Sequence, residues 1–123
     1  MTQPAPTLAA EVGELRHIFA DAVEGGKHAG PYWRLYVRGK RFEEYAQRLE
    51  TSLAKLPTDS TAGIAGLQKL KDSFEQDAAS YRREFKNELA EGNVATSTDL
   101  SALESESLAK KVGNILTIIQ SGP

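Results

Sequence analysis

The stretch LQKLKDSFEQDAASYRREFKNEL, residues 67–89, decides the fold. Its apolar residues Leu67, Leu70, Phe74, Ala78, Tyr81, Phe85 and Leu89 follow one another at steps of three, four, four, three, four and four. Those steps repeat every eleven residues, a period of about 3.67, which keeps one seam on an almost straight helix. A helix over these residues, roughly 35 Å long, cannot bury such a seam by itself and needs other helices to cover it.

Working outward, Gly92-Asn93 ends this helix, and the segment from Thr58 to Gly63 before it reads as a loop with capping residues. Upstream, Pro31 suits the first position of a helix in which Leu35, Phe42, Ala46, Leu49 and Leu53 fall in a narrow arc, with Pro57 as its end. Residues 32–38 are also rich in strand formers, and Gly39 is a possible turn. Helix is preferred over strand there because no partner strand is visible. Further back, Thr7 can cap a helix bearing Leu8, Val12, Leu15, Phe19, Ala22 and Val23 on one face, stopped by Gly25-Gly26. Downstream, Thr98 or Asp99 can cap a last helix with Leu100, Leu103, Leu108, Val112, Ile115 and Ile119 inward. Pro4 and Pro6 make residues 1–7 a flexible tail and leave 8–121 as one domain.

The expected fold class is therefore all-α: a helical bundle of about four antiparallel helices, the third the longest. Its core is expected at Leu15, Phe19, Phe42, Leu49, Leu67, Phe74, Tyr81, Phe85, Leu103 and Ile115. The third helix outruns the first, so part of its seam is expected to project beyond the bundle.

Composition narrows the function classes. At 123 residues, 40% apolar and 26% charged, the chain can build one real core and is not a disordered tail. A net charge of -2 excludes a molecule that binds nucleic acid with its whole surface, so any electrostatic role must be local. There is no cysteine, which removes disulfides, thiolate metal sites and cysteine nucleophiles together and fits a reducing compartment. The first residues carry no Lys or Arg, unlike a secretory leader, and no run approaches the roughly 20 apolar residues of a membrane span. A cytoplasmic location is expected.

Motifs for catalysis are missing. His17 and His28 lie in different regions, with no paired spacing that would build a metal centre. Gly25-Gly26-Lys27 lacks the flanking residues of a phosphate loop, and the pairs Glu43-Glu44 and Glu104/Glu106 read as surface charge. No enzyme activity, metal, cofactor or small-molecule substrate is expected.

Three surface features remain. Between Glu24 and Glu43 there is no acid, while Lys27, Arg34, Arg38, Lys40 and Arg41 are all cationic. On a helix, Arg34, Arg38, Arg41, Tyr45 and Arg48 fall within about 40° of a common line. Such a stripe suits an anion, phosphate or carboxylate, unless its guanidinium groups are paired within the chain. Tyr32, Trp33 and Tyr36 form an aromatic cluster that cannot all enter one core, and aromatic rings of this kind anchor protein interfaces. Finally, Val112, Ile115, Leu116, Ile118 and Ile119 spread over much of the last helix, wider than one buried stripe requires. Leu116 and Ile118 are the candidates there for self-association or a protein partner.

The expected function is a non-catalytic binding or scaffolding subunit of a larger assembly. One alternative is a subunit that touches nucleic-acid phosphates through the arginine stripe. Its plan of short helices with an arginine-bearing second helix distantly resembles the small helical subunits of CRISPR ribonucleoprotein complexes, without a diagnostic motif over any part of the chain. The other alternative is an inhibitor or effector that captures another protein.

Overall fold

A computed structural model describes residues 7–121 of the chain; the expected tail lies outside them apart from Thr7. Four helices follow in order: α1 (Leu8–Lys27), α2 (Trp33–Lys55), α3 (Ser60–Ala90) and α4 (Thr96–Ser121). The described residues contain no strand, so residues 33–38 are helix. Each helix packs on its sequence neighbour and α4 returns to α1, while α1–α3 and α2–α4 face one another across the diagonals. No described helix is long and apolar enough to cross a membrane.

The ends of the helices follow local chemistry. Thr7 accepts the Ala10 amide at 3.1 Å, as an N-cap should. Asp59 does the same for Ala62 at 3.0 Å, so α3 begins inside the segment expected to be loop. Gly92 takes φ +80° after α3, and the amides of Gly92 and Asn93 close onto the carbonyls of Leu89 and Glu88. That is the glycine-terminated cap the sequence pointed to. Pro31 instead stands two residues ahead of α2, held in a tight turn by a Tyr32 to Ala29 bond with Gly30 at φ +56°.

Gly25-Gly26 does not stop α1, and Gly39 is not a turn. Both sit inside helices, and a Cβ on Gly39 would lie 2.7 Å from the Gly26 Cα. The two glycines let α1 and α2 meet backbone to backbone.

Leu15, Phe19, Phe42, Leu49, Leu67, Leu70, Phe74, Leu108, Val112 and Ile115 form the centre of the core. Phe19 meets Phe42 edge-on at 5.7 Å, and Tyr45 meets Phe74 at 4.7 Å. Three expectations fail at one end of the molecule. Tyr81 and Phe85 are half-buried, and Leu103 is exposed together with Leu35, Leu89 and Leu100. On α4 the inward arc belongs to Thr98, Ala102, Ser105, Leu108 and Ala109, which turns Leu100 and Leu103 outward. On α3 the last buried residue is Ala78, because the helix runs on where α1 has already ended.

Candidate functional site

α2, α3 and α4 bound a cleft of about 350 Å³ at that end. Its cause is a mismatch of side-chain size. The first turns of α2 offer Trp33, Leu35 and Val37, while the facing turns of α4 offer Ser97, Thr98, Ser101 and Ser105. Small hydroxyl residues cannot fill the space across the α2–α4 diagonal, so the core stops at Phe42 and Phe74, which form part of the cleft wall.

The arginine stripe borders this cleft, and most of it is engaged within the chain. Arg38 forks onto Glu104 of α4, its Nε 3.0 Å from one carboxylate oxygen and its Nη2 2.6 Å from the other. That bond raises the Arg38 pKa, keeping the group charged. Arg38 also lies 4.8 Å over the Phe42 ring. Arg41 donates to Asp77 of α3 at 2.8 Å and to the Tyr45 hydroxyl at 3.2 Å. The Tyr45 hydroxyl donates in turn to the other oxygen of Asp77 at 2.6 Å. Arg48 donates to Ser73 at 3.1 Å.

Tyr45 is thus a core residue with a polar tip, not a member of an exposed anion site. Arg34 alone of the four stripe arginines makes no hydrogen bond or ion pair among the described residues; it stands exposed in the cleft wall. The stripe is a set of ties from α2 to α3 and α4 more than a free cationic row.

The aromatic cluster has the opposite fate. Tyr32, Trp33 and Tyr36 are 68%, 71% and 44% exposed. Trp33 and Tyr36 stack at 5.8 Å with 28° between their planes; Trp33 forms part of the cleft lining, while Tyr36 lies on the α1 side of α2 beside Gly26 and Gly39. Leu35 and Val37 on the same wall are exposed as well.

One C-terminal candidate is corrected: Leu116 is buried and belongs to the core cluster. α1 and α3 flank α4 and take up Val112, Ile115 and Leu116, with Ile119 packed against the core, while Ile118 is half-buried and is not among the residues packed there.

Neither histidine lies in a candidate metal site: His28, just past the end of α1, meets Glu24 at 2.9 Å, and His17 meets Asp21 at 3.3 Å one turn along the helix. No group of three metal-ligating side chains occurs among the described residues. Sequence reasoning missed Leu35 and Val37 as surface, and Glu84 and Glu104 as cleft residues. No local signal existed for either pair, because which side chains of α4 face α2 depends on the register between the two helices. The chain matches no known family model, no curated protein and no solved structure.

Proposed function

We propose that this chain is a non-catalytic helical subunit of a larger assembly, working through protein–protein contacts at the open end of the bundle. The observation that supports this reading is the stacked Trp33–Tyr36 pair standing in water beside a cleft walled by Leu35, Val37 and Phe42. Large exposed aromatic rings next to an apolar recess are the form that interface hot spots take, since they bury much area at small entropic cost. Capture of another protein by an inhibitor or effector would use the same surface. The nucleic-acid alternative has less behind it, because phosphate contact at Arg38 or Arg41 would first break a bond to Glu104 or Asp77. A cytoplasmic location goes with this reading, supported by the lack of cysteine.

A photo-crosslinking residue at position 33, compared with one at exposed Gln76 on α3, tests it in the cells that carry the gene. A discrete protein adduct is expected from position 33 and not from position 76. Equal yields at the two positions, or none at either, would sink the proposal.

A further inference from the structure

Six ionised side chains line the cleft: Arg34, Arg38, Arg41, Asp77, Glu84 and Glu104. Arg38 pairs with Glu104 and Arg41 with Asp77. That leaves one cation and one anion, Arg34 on the α2 wall and Glu84 on the α3 wall. Both are exposed, and neither joins an ion pair among the described residues.

Within the lining, Arg34, Arg38 and Arg41 all stand on the α2 wall, whereas Asp77, Glu84 and Glu104 stand on the facing α3 and α4 walls. One wall is basic and the other acidic. A surface of that kind is its own complement under a two-fold rotation, which sets each basic wall against the acidic wall of the other molecule.

Apolar area is available on the α2 wall and beside it, with Trp33 in the cleft lining and Tyr32 and Tyr36 outside it. At roughly 200 Å² per aromatic side chain, the exposures of Tyr32, Trp33 and Tyr36 leave on the order of 350 Å² uncovered. That is nearly half of the about 800 Å² that each partner of a stable dimer buries. Leu35, Val37 and the cleft walls add to it.

We propose that the chain pairs with a second copy of itself through this cleft, the Trp33 wall of each copy seated in the cleft of the other. Arg34 of each copy then stands opposite Glu84 of the other, and the two unpaired charges are satisfied twice by one operation. The inference rests on the open end being a protein-binding surface, and it names the partner.

Sedimentation equilibrium up to about 1 mM chain tests it. The wild type should give a species of twice 13.4 kDa. Trp33→Ala should weaken pairing, and R34E and E84R should each raise the dissociation constant about tenfold or more by setting like charges together. An equimolar mixture of the R34E and E84R chains should recover wild-type affinity as a heterodimer, since every contact then joins opposite charges. Recovery in the mixture also shows that both variants are folded. A wild type that stays monomeric, a dimer indifferent to the charge reversals, or a mixture that does not recover overturns the proposal. If the wild type is monomeric but position 33 still crosslinks to a different protein, self-pairing falls and the protein-binding reading stands.

Discussion

Tyr45 divides between two environments: its ring closes the core against Phe74, and its hydroxyl meets Asp77 and Arg41. Burial pushes its pKa up to about 12, and the hydrogen bond to Asp77 adds to the rise. A phenol whose folded pKa exceeds its unfolded value of about 10 stabilises the fold fully below that pH. The contribution is lost as pH climbs from there through the folded pKa, up to about 2–3 kcal/mol in all. Phenolate absorbance should therefore show one ionisation near pH 12 that disappears in Tyr45→Phe. The same variant should cost about 1–3 kcal/mol in urea denaturation at neutral pH, because Asp77 loses a donor. An unchanged titration curve would refute the assignment. At this scale the sequence was readable in part. Tyr45 stood out as the aromatic member of the arginine row, but its partner Asp77 lies 32 positions away, and no local pattern links them.

At the scale of the helices, glycine carried two meanings that spacing alone could not separate. Gly25-Gly26 and Gly39 look like terminators because glycine costs a helix about 0.5–1 kcal/mol relative to alanine. The fold instead uses Gly26 and Gly39 for what they lack, a side chain between two backbones. Gly39→Ala should thus cost about 1–3 kcal/mol or more, since its Cβ would meet the Gly26 Cα at 2.7 Å and the Ala22 carbonyl at 3.1 Å. Gly13→Ala, in the open middle of α1 with nothing within 4 Å of the new Cβ, should stabilise by about 0.5–1 kcal/mol. Thermal unfolding of the two variants side by side decides it. The long seam of α3 was legible because seven apolar positions share one period. α4 was misread because its inward arc is built from Thr98, Ala102, Ser105 and Ala109, and larger Leu100 and Leu103 drew the face to the wrong side. Leu116 misled in the other direction, since a face apolar on more than one side can be one flanked by two helices of its own chain.

For the whole molecule, packing is graded from a tight end to an open one. Leu49, Leu67 and Phe74 are at most 1% exposed, while residues 33–37 are exposed throughout. Amide exchange should follow that gradient: Leu49, Leu67 and Phe74 should open only with global unfolding, and residues 35–38 and 85–89 roughly a hundredfold faster or more. Uniform protection along α2 and α3 would contradict it. The cleft itself was not legible, because a void is a relation between facing side chains and needs the register of Trp33 and Leu35 against Ser97 and Ser101. The arrangement of neighbours also bears on how the bundle assembles. Apart from α1 with α4, every packed pair of helices is consecutive in the chain. Contacts of such short range form without closing long loops, which places folding in the microsecond-to-millisecond regime of local topologies. The exception is the seam where Lys111 of α4 meets Glu14 of α1, 97 positions apart. That seam alone joins the two ends of the described chain, so of the four packed pairs it carries the largest loop-closure cost.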